Sequence, residues 1–105
     1  MPVVKVDTES SYNEQIKEGL VFIDFYATWC GPCRQIAPVV ESLSTKQEYA
    51  MVKFLKVDVD ELPEVAEREE VTSMPTFKLL KDGKVVEVSV GANATRIEEM
   101  LKRHV

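Results

Sequence analysis

Asp24-Phe25-Tyr26-Ala27-Thr28-Trp29-Cys30-Gly31-Pro32-Cys33 decides the reading of the whole chain, because it leads an apolar run directly onto the only two cysteines, two residues apart. Leu20 to Ala27 carries large apolar and aromatic residues on both parities, the pattern of a strand covered on both faces. From Cys33 onward Ile36, Val39, Val40 and Leu43 fall at a helical period. Pro38 lies inside that period and removes one amide donor, so a kinked helix is expected, not a stop. A Cys-x-x-Cys serves as a redox couple or as half of a zinc site. Zinc takes about four ligands, usually two such pairs or a pair with histidines. The only histidine is His104, beside the C-terminal residue, so redox chemistry is the stronger reading and no metal is expected.

Outward from this stretch the same alternation continues. Val3, Val4 and Val6 suggest a first strand, and Thr8 or Ser11 is placed to cap a helix with Tyr12 and Ile16 on its apolar side, ended by Gly19. Val52 to Asp58 is the next strand, followed by a short helix with Pro63 in its first turn and Leu62, Val65 and Ala66 inward. Strand, helix, strand implies parallel strands joined by crossover helices. After Pro75 the pattern changes to two β-prone runs, Thr76 to Leu80 and Val85 to Val90, around a turn containing Asp82-Gly83. They are expected to form an antiparallel hairpin. A last helix with Ile97, Met100, Leu101 and Val105 on one face follows a cap at Asn93. Asn93-Ala94-Thr95 matches a glycosylation triplet, read as chance in the absence of a leader.

The chain has 105 residues, enough for a single domain spanning 1–105 that buries roughly two thirds of its unfolded surface without disulfide staples. The formal charge of −5 argues against nucleic acid or an anionic membrane surface, both of which favour basic patches. The longest apolar run, Leu20 to Ile23, is far too short to span a bilayer. Met1-Pro2-Val3-Val4-Lys5 does not resemble a secretory leader, and two cysteines are few for a secreted domain, so a soluble cytoplasmic protein is expected. Four glycines and no Gly-x-Gly-x-x-Gly predict that the chain carries no nucleotide and no cofactor of its own.

Trp29-Cys30-Gly31-Pro32-Cys33, with Asp24 six residues before the first cysteine, is accompanied by Lys56-Val57-Asp58-Val59-Asp60, Met74-Pro75-Thr76 and Gly91-Ala92. In order and spacing these landmarks resemble the thioredoxin family over nearly the whole chain. The resemblance implies an α/β thioredoxin fold, a central five-stranded mixed sheet flanked by four helices, and an enzyme that reduces protein disulfides by dithiol-disulfide exchange. It further implies a cis bond before Pro75, with the backbone of Met74 free to pair with an extended substrate. Trp29, Gly31, Pro32, Met74, Gly91 and Ala92 would form a flat apolar contact surface, with Asp60 holding the indole of Trp29. The implied partners are disulfide-containing client proteins and an NADPH-dependent thioredoxin reductase, with the chain working as a monomer. Two departures are visible: Tyr26 stands where many bacterial relatives have tryptophan, and Ser73 where some animal relatives have a further cysteine, so no covalent dimer can form through that position.

Elementary chemistry gives the motif residues distinct tasks. A strand ending just before a helix sets Cys30 beside the positive helix end, which favours its thiolate as nucleophile. Cys33, one turn along, is expected to be more buried and to act as the resolving thiol. Gly31 and Pro32 offer neither charge nor side-chain donor to stabilise the reduced form, so a reductant is expected. Asp24 sits in an apolar strand, where desolvation raises its pKa and suits it to carry a proton for Cys33. The alternative for Asp24 is a structural carboxylate paired with backbone or with Lys56. The competing functions are a binding subunit of thioredoxin type, and a disulfide isomerase or oxidase on the same fold.

Overall fold

β2 (Leu20–Tyr26) is central because five of its seven residues, Val21 to Phe25, are buried, so neither parity faces water. In the computed structural model, which describes residues 3–105, it pairs parallel with β3 (Lys53–Asp58) and antiparallel with β4 (Thr76–Lys81). β1 (Val3–Lys5) extends the sheet parallel to β3, and β5 (Lys84–Val90) closes the other edge antiparallel to β4, giving the order β1-β3-β2-β4-β5. Met1 and Pro2, the start of the segment in which no leader is read, lie outside the described residues.

Four helices cover the two faces: α1 (Glu9–Gln15), α2 (Gly31–Ser44), α3 (Pro63–Arg68) and α4 (Ala94–His104). Phe22, Phe54, Phe77 and Leu79 pack with Ile36 and Val40 of α2 and with Ile97, Met100 and Leu101 of α4. On the opposite face Val21, Ile23, Phe25 and Leu55 pack with Tyr12 of α1 and Val65 of α3. A central five-stranded mixed sheet flanked by four helices is the architecture that the sequence resemblance implies. Because side chains alternate along a strand, Asp24 shares the parity of Phe22 and Lys56 that of Phe54, which turns both toward the α2 side. Lys78 has the parity of Leu80 and points to the side of α1 and α3.

Local chemistry explains the element ends, with some departures from expectation. Thr8 caps α1, its hydroxyl accepting from Ser11 N–H at 3.0 Å. Gly19 does not end that helix: α1 closes at Ile16 in ordinary right-handed geometry. Gly19, at φ +78°, instead ties the entry of β2 to the hairpin turn, donating to Asp82 Oδ1 at 2.8 Å while its carbonyl accepts from Asp82 N at 3.0 Å. α2 runs through Pro38 to Ser44. A 3-10 turn at Gln47–Tyr49, absent from the sequence reading, follows it. In the hairpin Asp82 and Gly83 have φ of 50° and 84°, the two left-handed residues that a tight turn between right-twisted strands requires.

Candidate active site

The sheet register gathers the motifs at one end. Tyr26 is level with Asp58, Phe25 with Thr76, and Thr76 with Val90, so the segments after β2, β3 and β5 and the one before β4 leave the sheet together. Cys30, Asp60, Met74-Pro75 and Gly91-Ala92 are therefore brought to the same end although they are spread over the 63 residues from Cys30 to Ala92.

Cys30 is the N-cap of α2, with φ −87° and ψ 111°, and its Sγ accepts the Cys33 N–H at 3.1 Å. Pro32 in the first turn loses no intrahelical bond, since the first amides of a helix have no carbonyl partner. Cys30 and Cys33 are joined as a disulfide with Cα atoms 5.3 Å apart. The segment before them is held by Cys30 N donating to Ala27 O at 3.2 Å and by Arg34 Nη1 donating to Thr28 O at 2.8 Å. Both cysteines are buried, 5% and 4% exposed, so the expected contrast in burial is absent. Their surroundings distinguish them instead. Cys30 Sγ lies 3.7 Å from the Met74 carbonyl oxygen, a contact without a hydrogen bond while the sulfur carries no hydrogen. Cys33 lines a cleft of about 220 Å³ shared with Asp24, Tyr26, Arg34 and Lys56.

Asp24 is 5% exposed, and its buried Oδ1 has no hydrogen-bond partner among the described residues. Burial pushes its carboxyl up to about 7, against a weaker opposing pull from the Lys56 charge. Lys56 stands beside Asp24 in the register, yet the two form no ion pair within 4.0 Å among the described residues. The Lys56 ammonium lies instead over the Tyr26 ring, 5.9 Å from its centroid.

Trp29 is 66% exposed, and its Nε1 donates to Asp60 Oδ2 at 2.9 Å. Asp60 is set in place by Asp58, whose Oδ1 accepts the Asp60 N–H at 2.9 Å, and by Val59 N donating to Tyr26 O at 2.9 Å. Sequence reasoning gave Asp58 and Arg34 no task. The Asp-x-Asp spacing is the signal that could have identified Asp58, since an aspartate commonly accepts from the amide two residues on. The Met74-Pro75 bond is cis, and Pro75 O accepts Gly91 N–H at 2.9 Å. Gly91 has φ +101°, which side chains rarely adopt, and exposed Ala92 follows it at the rim. Gly31 and Pro32 complete the surface between the cysteines.

A sequence model described as Thioredoxin matches residues 3–103. The chain belongs to the thioredoxin family. It is 46% identical to thioredoxin Asp f 29 of Aspergillus fumigatus over 105 residues, covering 98% of this chain and 96% of that protein. It is 46% identical to thioredoxin-1 of Saccharomyces cerevisiae, covering 94% and 95%. A solved thioredoxin of Plasmodium falciparum superposes with a TM-score of 0.92 at 41% identity, covering 97% of this chain and 99% of that one. Thioredoxins are protein-disulfide reductases, and the Cys30-Cys33 pair of this chain makes it a thiol-disulfide oxidoreductase of that family. Among the described residues no helix is long and apolar enough to cross a membrane.

Proposed function

We propose that Cys30 is the attacking thiol, Cys33 the resolving thiol and Asp24 the proton carrier of a protein-disulfide reductase that works as one domain over residues 1–105. The Cys30 thiolate attacks one sulfur of a client disulfide, and the other client sulfur leaves as a thiolate that takes up a proton. Cys33 then passes its proton to the ionised Asp24 carboxylate in the cleft and attacks Cys30 Sγ, breaking the mixed disulfide; the second client sulfur leaves as a thiolate and takes up a proton from solvent, while Asp24 returns to solvent the one it received. Two electrons have moved to the client, whose two new thiols draw their protons from solvent, and Cys30-Cys33 is left oxidised. The observation that carries this assignment is the different environment of the two sulfurs: Cys30 at the helix cap beside Met74, Cys33 on the cleft of Asp24.

Several finer points belong to the same proposal. The helix cap favours a thiolate at Cys30 through the Cys33 amide and the helix dipole. Exposed Trp29, with Gly31, Pro32, Met74, Pro75, Gly91 and Ala92, offers an extended client segment an apolar platform, and Asp60 keeps the indole in place. Lys56 acts on Asp24 by its charge, without contact. The electrons come from an NADPH-dependent thioredoxin reductase, since the sequence has no Gly-x-Gly-x-x-Gly for a nucleotide of its own. The protein works as a monomer in the cytoplasm, a reducing compartment suited to a chain whose two cysteines both lie in the redox motif. Turnover of insulin disulfides by dithiothreitol tests the reading: the protein should accelerate it catalytically, and Cys30→Ser should abolish the acceleration. A reduction potential as high as that of an oxidase would overturn the assignment as a reductant.

A further inference from the structure

A buried polar cluster lies on the sheet face opposite Asp24 and plays no part in the chemistry described so far. The Tyr12 hydroxyl donates to Glu69 Oε2 at 2.9 Å, and the Lys78 ammonium lies 3.5 Å from Glu69 Oε1. Lys78 Nζ also donates to the backbone carbonyl of Glu69. Tyr12 is fully buried, and the side chains of Lys78 and Glu69 are only 11% and 14% exposed. Burying charge in this way costs free energy that a leucine pair would not incur, and Lys78 occupies a strand position flanked by apolar Phe77 and Leu79.

The cluster sits at the base of the segment that carries Met74. α3 ends at Arg68, Glu69 is its C-cap, and the chain turns sharply at Glu70, which has φ 59°. Val71 N–H donates to Ala66 O at 2.9 Å to finish the helix, and Thr76 Oγ1 donates to Ser73 O at 2.6 Å where β4 begins. Between these ties run Thr72, Ser73 and Met74, whose carbonyl faces Cys30 Sγ. Lys78 lies on β4, just past the segment, and reaches back to Glu69, just before it. Its ammonium thus closes a clamp around residues 70–77, with Tyr12 fixing the carboxylate from α1.

We propose that Lys78, acting through Glu69 and Tyr12, is a positioning residue that holds the Met74 carbonyl beside Cys30, and so sets affinity for extended protein clients. The proposal rests on the client-pairing role given to Met74 above. A client that pairs with the Met74 backbone needs its edge fixed in advance, whereas a small disulfide needs only access to the sulfur.

The test compares Lys78→Met/Glu69→Gln with wild type and with Lys78→Arg. The double variant removes both charges together, leaving no unpaired ion, and Gln keeps an oxygen to accept from Tyr12. KM and kcat are measured with insulin and with 5,5′-dithiobis(2-nitrobenzoate), and the Cys30-Cys33 reduction potential is measured alongside. The double variant should raise KM for insulin by about three- to tenfold at unchanged kcat, the signature of lost uniform binding. The small disulfide and the potential should be unaffected, and Lys78→Arg should keep the wild-type KM. A double variant with unchanged KM for insulin would reduce the cluster to a structural tie, and equal losses with both substrates would overturn the selective role. Failure of wild type to reduce insulin would instead count against the underlying reading of the site.

Discussion

Asp24 illustrates how one side chain sets stability against activity. Its carboxyl is raised to about 7 by burial, so the folded protein holds its proton at pH values where the unfolded chain, near 3.9, has released it. Stability from this source is therefore fullest below the unfolded pKa, is lost as pH rises through the folded one, and stays lost above about 7. The full loss is on the order of 4 kcal/mol. Asp24→Asn should match wild type in stability near pH 4, then gain on it up to neutral pH, while resolution by Cys33 slows. Denaturant unfolding of both proteins from pH 4 to pH 9 checks this, and a difference constant across that range would refute it. Trp29 is held by a single hydrogen bond from its exposed ring to Asp60. Asp60→Ala should cost about 1 kcal/mol or less in stability yet raise KM for insulin, because the released indole must be ordered again at each encounter. Unchanged insulin kinetics would mean that the bond does not preorganise the platform.

At the level of elements, the hairpin turn between β4 and β5 is a joint for two parts of the chain, since Asp82 bonds both sides of Gly19. Gly83→Ala meets ordinary space, Ile16 O at 3.8 Å, so its penalty is conformational: about 1–2 kcal/mol for forcing a side chain into φ 84°. Thermal unfolding should register that loss with disulfide reduction intact at lower temperature. The hairpin, the crossover helices and the passage of α2 through Pro38 were legible because each depends on neighbours in sequence: Asp82-Gly83, an apolar period of 3.6, a proline followed by Val39, Val40 and Leu43. What was not legible depends on distance. Gly19 reads locally as a helix end, because its partner Asp82 is 63 residues away. Lys78 carries no local signal, since Tyr12 and Glu69 are brought together across 57 residues by packing of α1 against α3. The candidate site residues could be named because they lie in short motifs, while their mutual geometry required the sheet register. Cys30 and Cys33 differ not in burial, the contrast expected from sequence, but in what they meet: the Met74 carbonyl for Cys30 and the Asp24 cleft for Cys33.

In the whole molecule, a twisted sheet covered on both sides carries chemistry at one end, and its two faces do different work. The α2 side holds Asp24, Cys33 and the cleft; the α1 and α3 side holds the Lys78 clamp on the Met74 segment. Cys30 touches the Met74 carbonyl while capping α2. The proposed order of the two sulfurs follows from this asymmetry, and trapping measures it directly. Cys33→Ser and Cys30→Ser, each reduced and incubated with a disulfide-containing protein, are resolved on non-reducing gels for mixed disulfides. Cys33→Ser should accumulate a stable adduct through Cys30, and Cys30→Ser should form none. Equal trapping by both variants, or an adduct only through Cys33, would contradict the account.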